Sequence, residues 1–515
     1  MNISRGVAWA ATSVLVVGMA ASSSASTAAV NNDMANIFSE QLEASLVPGG
    51  AYAVVTNEGV DAGGLGRAGG ASATAKTPFV IGSTTKSITA LAVMRLVDSG
   101  NVTLETPVRD LVPEFTLARG QDVDAITVRH LLQQTSGLDD LAGGPLLASA
   151  ADGTPLEAVA ELKDARLASP PGESWRYANV NYVLAGLVVE RASGMSYADY
   201  VDQRIFTPLG MQDSTAAGQP SDATPGHKFW FGIPIPSGPT VRQAEMAAGY
   251  IISTADDLSR YLAMYLRDGR GENGTRVVST AGLKTMLAPG PEANLGPWAG
   301  GMKSRYAMGW FVGGPWAEDA VFHPGNSPDS STMLALFPER STAMATLMSA
   351  GHELPVPGNP ALTDTISRNM IFAALDEPVP AAPSLTNLYV VFDLVSILLV
   401  VLAVRGVLHA LTDWRRQELS VHRLSAVVGL LVRLLGVALL LLGPALLIGW
   451  GWMWTWAPDL TLVIASLAGV LAAAMTLRLA LLFHRKVDPP HPNHVQVKTD
   501  WLEDPAFARS AVRQG

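Results

Sequence analysis

Three apolar stretches near the C-terminal end, residues 388–408, 425–449 and 460–483, constrain this chain more than any other feature. Each is long enough to cross a hydrocarbon core about 30 Å thick as a helix. Inside lipid, a helix is one of only two ways to pair every backbone polar group. The pattern therefore predicts three spanning helices. Their flanks orient them: Arg415, Arg416 and Arg423 lie between the first two, and Arg485 and Lys486 follow the third. The positive-inside bias puts both groups in the cytoplasm, together with a tail over residues 484–515. The connection at 450–459 has no Lys or Arg and carries Trp450, Trp452, Trp454 and Trp456, the composition of an outer interfacial belt. Of the charges inside the stretches, Asp393, Arg405, Arg433 and Arg478, the arginines at 405 and 478 are near enough to cytoplasmic ends to snorkel, and Arg433 is deeper. No Gly/Pro-broken pair of repeats accompanies them, which argues against transport.

The N-terminal end reads as a signal peptide over residues 1–25. Arg5 precedes an apolar run at 6–21, and Ser22, Ser23, Ser24 and Ala25 follow, with cleavage after Ala25 or Ala28 and a retained anchor as the alternative. Either way the next domain is exported, so the expected location is the bacterial cytoplasmic membrane, multi-pass, with that domain outside. A formal net charge of −10 argues against nucleic acid, whose phosphates need clustered Lys and Arg. The chain has 0 cysteines, which excludes disulfides, thiolate zinc sites and a cysteine nucleophile.

Between the ends, residues 32–375 alternate strand-like and helix-like stretches without a repeat, and Pro378, Pro380 and Pro383 mark a linker at 376–387. Strands are expected at 51–56, 308–312, 331–337 and 343–349, and helices at 87–97, 128–134, 180–192, 197–205 and 255–266. Strands at both ends and helices in the middle predict a sheet assembled around a mostly helical lobe at about 100–255.

Chemistry concentrates at three places. Ser83 and Lys86 form an S-x-x-K at the start of a helix, where a spacing of three puts both side chains on one face. A serine needs a neighbouring base, and a lysine can serve once burial or nearby cations lower its pKa. The free N–H groups of a helix start favour negative charge on a substrate oxygen. Tyr177 and Asn179 form a Y-x-N opening the next long helix. Tyr177 can act as a phenolic base beside Lys86, with Asn179 bonding Lys86 and substrate; the bland alternative is packing for the tyrosine and capping for the asparagine. His323, Pro324, Gly325 and Asn326 enter a Ser/Thr-rich strand, where the Asn326 N–H could supply a second oxyanion donor and His323 could donate to a leaving group.

Together these elements resemble the serine β-lactamase and penicillin-binding-protein (D-alanyl-D-alanine peptidase) superfamily, in its class C-like branch, which includes esterases and D-amino-acid peptidases. The resemblance extends through residues 127–138, 171–173, 205–211 and 248–258 and covers roughly 35–375. It implies an α+β fold, an antiparallel sheet flanked by helices with a helical lobe, acylation of Ser83, a substrate site that includes Gly325 and Asn326, and neither metal nor cofactor. Where the family's β-lactamases have K-T-G, this chain resembles the H-x-G variant. A neutral histidine anchors a substrate carboxylate poorly, so β-lactam hydrolysis is expected to be weak; should penicillin prove as good a substrate as an ester, another group must anchor the carboxylate, and Arg340 is the next residue to examine. A peptidase acting on D-amino-acid peptides of the cell wall, an envelope esterase or acyl-transfer enzyme, and an acylated membrane sensor all remain open. The expected partners are a small peptide or ester of the envelope and the lipid bilayer.

Overall fold

The computed structural model describes residues 34–139, 153–294, 303–314, 317–351, 362–382, 385–416, 431–432, 434–443 and 449–483. The expected signal peptide, Arg423, Arg433, Arg485, Lys486 and the tail lie outside the described residues. The chain divides into two compact units, Met1–Ile397 with Leu442–Ile464, and Leu398–Leu441 with Ala465–Gly515.

In the first unit the strands run, in chain order, β1 (Gly49–Val55), β2 (Val60–Ala68), β3 (Ala71–Ser72), β4 (Phe79–Val80), β5 (Gly226–Trp230), β6 (Ile233–Ser237) and β7 (Ile252–Ser253). They continue with β8 (Glu292–Asn294), β9 (Lys303–Tyr306), β10 (Phe311–Val312), β11 (Val321–Asn326), β12 (Ser331–Phe337) and β13 (Thr342–Met348). Nine of them form one antiparallel sheet in the order β3-β2-β1-β13-β12-β11-β10-β9-β8, so strands from the two ends of the domain pair at its centre, as Ala51 with Leu347. β1, β12 and β13 are buried at every residue. A strand buried on both faces needs cover on both. Helices Met34–Ala44 and Leu362–Ala374 supply one layer through Phe38, Leu42, Ile366 and Met370. Helices Thr85–Asp98 and Ala255–Leu266 supply the other, packing Leu91, Leu258 and Leu262 toward Ala53, Ala345 and Leu347.

Thr85–Asp98 is buried continuously from Thr85 to Met94, with the sheet on one side and the helical lobe on the other. This accounts for its weak amphipathicity: a helix enclosed on all sides has no polar face to show. The lobe is built around Asn179–Ser193, which is likewise buried from Val180 to Val189.

Three departures have local causes. The expected strand at 308–312 shortens to β10 because Gly309, at φ +77°, makes a turn. The expected helix at 197–205 is α-helical only over Tyr197–Val201 and then widens into a π turn at Asp202–Phe206. β2 (VDAGGLGRA) has few strand-forming side chains; a Cβ at Gly64 would lie 2.3 Å from the Thr74 nitrogen, so close backbone approach replaces side-chain packing there.

Two helices are long and apolar enough to cross a membrane, Tyr389–His409 within Leu385–Arg416 and Pro458–Leu477 within Pro458–Phe483. The expected middle span is described only as the shorter apolar helix Leu434–Gly443, so three spans are not found among the described residues. The tryptophan-rich connection is itself helical over Trp450–Trp456.

Candidate active site

β4 leads through Ile81 into a tight 3₁₀ turn, Gly82–Thr84, that runs directly into Thr85–Asp98. Gly82 has φ +54°, and a Cβ there would stand 2.6 Å from the Asn326 nitrogen. A Cβ on Gly325 would likewise stand 2.2 Å from the Ile81 carbonyl. Two glycines thus let β11 lie flat against the turn that carries Ser83. The Ser330 hydroxyl, on the turn after β11, reinforces this by donating to the Val80 carbonyl (2.9 Å).

Lys86 is 0% exposed. Its Nζ donates to Asn179 Oδ1 (2.7 Å) and to the Ala248 carbonyl (2.7 Å), and lies 3.0 Å from Ser83 Oγ. The geometry is informative because the first two partners can only accept. A neutral amine has two N–H bonds for them and a lone pair left for the serine proton; an ammonium has three N–H bonds and donates to all three oxygens. The same arrangement accommodates Lys86 before and after it takes a proton. Tyr177 covers it from above, with Nζ 4.8 Å from the ring centroid.

The segment carrying Tyr177 and Asn179 is pinned by Gln134, which holds a left-handed backbone at φ +58°. Its side-chain oxygen accepts from Ala178 N (3.1 Å) and Asn181 Nδ2 (2.6 Å), and its carbonyl accepts from Arg176 N (2.8 Å). Asn181 in turn accepts from the Ser136 hydroxyl (2.6 Å). The 127–138 stretch is therefore the bracket for the Y-x-N segment, a role that sequence could have suggested only through its buried amide and hydroxyl side chains.

The His323 ring is 1% exposed and packs within 5.2 Å of the Phe311 ring centroid and 6.4 Å of that of Tyr177. Burial, and then the charge of Lys86, push its pKa down to about 3 against the hydrogen bond with Pro324. Nδ1 lies 2.6 Å from the Pro324 carbonyl, which can only accept, so Nδ1 carries the proton; Nε2 then accepts from the Tyr306 hydroxyl at 3.2 Å. His323 is neutral, as expected, but in this tautomer it has no free N–H for a leaving group. Arg340 falls farther from expectation. It follows β12 at the end away from Asn326, ion-paired to Glu377 at 2.8 Å, and cannot anchor a carboxylate at Ser83.

Other groups at the site have no sequence signature. Buried Glu245 pairs with Arg242 (3.0 Å); burial raises its pKa, while Arg242 and Lys86 oppose the rise. Buried Asp329, just past β11, accepts from the Ser327 hydroxyl (2.8 Å), and burial pushes its carboxyl up to about 6 against Ser327 and Lys228. On the opposite side, beside Tyr177, a cavity of about 550 Å³ is lined by Asp139, Glu173, Trp175, Arg176, Pro291 and Glu292 among others. Arg176 is paired with Asp139 (3.0 Å), so the lining carries three carboxylates against one guanidinium. The one group of acidic residues close enough to hold an ion among the described residues, Asp213, Asp256 and Asp257, already engages Arg260 and Ser214.

The Beta-lactamase family profile matches residues 34–364. Among curated relatives, penicillin-binding protein 4 of Amycolatopsis lactamdurans is 29% identical over 329 residues, covering 59% of this chain and 81% of its own. Protein flp of Staphylococcus aureus (strain MW2) is 24% identical over 428 residues, 80% of this chain and 82% of its own. Among solved structures, the octameric penicillin-binding protein homologue from Pyrococcus abyssi superimposes with a TM-score of 0.55 at 25% identity, covering 68% of this chain and 78% of its own. D-amino acid amidase from Ochrobactrum anthropi SV3, complexed with L-phenylalanine amide, shares the fold with a TM-score of 0.56 at 21% identity, covering 67% and 99%. Profile, relatives and sheet agree: this chain belongs to the Beta-lactamase family, within the superfamily of serine β-lactamases and penicillin-binding proteins, and is a serine hydrolase.

Proposed function

We propose that the chain is a membrane-anchored, extracytoplasmic D-amino-acid peptidase of the penicillin-binding type, working through an acyl-Ser83 intermediate on cell-wall peptides. The observation that carries the chemistry is Lys86 held by two obligate acceptors with its third position turned to Ser83. Lys86 takes the Ser83 proton as Oγ attacks the substrate carbonyl, and the N–H groups of Ser83 and Asn326 receive the developing oxyanion. The Tyr177 phenol gives its proton to the departing amine or alkoxide and regains one from the Lys86 ammonium, leaving Ser83 acylated; water then hydrolyses the ester, freeing the acid and the Ser83 hydroxyl.

Two features bear on substrate. The acid-rich cavity beside Tyr177 suits a cationic ammonium. His323, neutral above a pKa of about 3, offers no charge to a carboxylate. Both favour an amide or ester of a D-amino acid, or a peptide with its amine free, over a penicillin. The neutral His323 equally suits an envelope esterase, the second reading. Membrane anchoring rests on the two long apolar helices and on the flp alignment, which covers more of this chain than ends at Leu375.

The deciding experiment is intact-protein mass after a fluorophosphonate probe, followed by kcat/KM on D-alanine amide, an aryl ester and benzylpenicillin. One adduct, absent in Ser83→Ala, with amide or ester preferred over penicillin, is the expected outcome. An equal adduct on both proteins sinks the nucleophile assignment, and efficient penicillin turnover sinks the substrate assignment.

A further inference from the structure

The β5–β6 hairpin takes no part in the chemistry above. Trp230 pairs with Ile233, which leaves Phe231 and Gly232 as a two-residue turn with φ of +51° and +75°. Such turns favour Asn and Gly, and a bulky aromatic in the left-handed region is strained. Phe231 is therefore kept at a conformational cost, and its surroundings suggest why. Its N–H donates to Asp459 Oδ2 (3.2 Å) and its ring lies 6.1 Å from Phe392. The flanking strand residues do the same: Trp230 meets Trp454 edge-on at 5.7 Å, and Phe229 stacks on Tyr389 at 6.2 Å.

These contacts fix a level. Tyr389 is the first residue of one candidate span and Asp459 the second of the other, so both apolar helices begin beside the hairpin tip. Residues 229–238 contain no charged side chain. On the strand that leaves the tip, Ile233 is 61% exposed and Ile235 is 42% exposed. Apolar and aromatic side chains at the level where membrane helices start match the boundary between headgroups and acyl chains, where such residues gain most.

We propose that the β5–β6 tip is a foot that rests in the outer monolayer, with Ile233 and Ile235 in contact with lipid. The inference rests on the membrane-anchored reading. The base of the hairpin is tied to the sheet instead: His227 N donates to the Asp329 carbonyl (3.1 Å), its Nδ1 lies 2.8 Å from the Ser349 carbonyl, and Gly351 N donates to the His227 carbonyl (3.2 Å). One end of the foot grips the turn that follows Asn326 and the other meets lipid.

The absence of native cysteines makes the test direct. Ile233→Cys, Ile235→Cys and Leu394→Cys, the last on the first apolar helix, are labelled with an environment-sensitive fluorophore in the full chain. Each is reconstituted in phosphatidylcholine vesicles with or without lipid carrying a doxyl quencher near the headgroup, and retention of the fluorophosphonate adduct verifies folding. The hairpin labels should be quenched at least about twofold by the doxyl lipid and shielded from aqueous iodide, as burial at the acyl boundary requires. Labels open to iodide and untouched by doxyl lipid, while Leu394 is quenched, overturn the foot. Shielding from both quenchers, with Leu394 quenched, assigns the face to a protein partner such as a second copy and also overturns it. If Leu394 itself is not quenched, the anchored reading fails and takes the foot with it.

Discussion

The two walls that meet at Ser83 are held by different forces. On the Tyr177 side the backbone is fixed by neutral hydrogen bonds converging on Gln134, and the wall opens onto an acid-lined cavity. On the β11 side the groups are buried and titratable, and two of them, His323 and Asp329, are displaced far from their ordinary pKa values. Neutral bonds of the first kind keep their geometry at any moderate pH. A wall built on displaced titrating groups is itself under strain from pH, so catalysis and stability should respond differently to changes on the two sides.

The largest effects belong to the atoms between the walls. Lys86→Ala and Tyr177→Phe should each slow acylation by about 10²-fold or more, read as the rate of adduct formation by intact mass. If either variant is acylated at the wild-type rate, the proton route runs elsewhere. Next comes the neutral wall. Gln134→Ala strands Ala178 N and Asn181 Nδ2 and should cost about 1–3 kcal/mol of stability in denaturant melts, with kcat falling more than KM rises. An unchanged kcat would mean that Tyr177 does not depend on its bracket.

The charged wall gives smaller, more selective changes. His323→Lys should move the ratio of kcat/KM for penicillin over an ester toward penicillin; a constant ratio would mean that another group meets the carboxylate. His323 should also impart a pH slope. Its folded pKa of about 3 lies below the unfolded value of about 6.5, so its contribution is intact above pH 6.5 and is lost progressively as pH falls toward 3. His323→Gln should flatten that slope. Asp329 has the opposite sign. Its carboxyl, raised to about 6 from an unfolded value near 3.8, contributes fully below pH 3.8 and loses that contribution as pH rises through 6. Asp329→Asn should therefore gain a few degrees in Tm relative to wild type at pH 7, and less at pH 4. A gain equal at both pH values would point to repacking rather than charge.

What could be read from the sequence depended on how far apart the interacting residues lie. Ser83 and Lys86 are neighbours on one helix, so their meeting follows from spacing alone. Asn179 reaches Lys86 across 93 positions, so the Y-x-N pattern could offer that contact only as one reading beside helix capping. Strands β12 and β13 carry ordinary apolar side chains and were expected close to their observed bounds. β2 was not, because its glycines remove the alternation on which strand recognition rests. The β5–β6 hairpin escaped for a related reason: Phe231 occupies a turn position where Asn or Gly would have marked it. Arg340 failed as a carboxylate anchor because distance along a strand is physical distance, and Leu336 pairs with Val321 rather than with Asn326.

The hairpin has a consequence for which molecules the enzyme can meet. Three residues of β5, Lys228 to Trp230, separate the Phe231 turn from His227, the base that grips Asp329, a rise of about 14 Å at the usual strand spacing. Through Asp329, Ser330 and Val80 that base is linked to the strand that leads to Ser83, so a foot resting in lipid, as proposed, would set the working height of the nucleophile over the bilayer. A peptide anchored in the same lipid sheet searches a thin layer rather than a volume, and its local concentration within that layer exceeds any it could reach in bulk. Such a ruler selects substrates by where they are tethered before any pocket tests their shape.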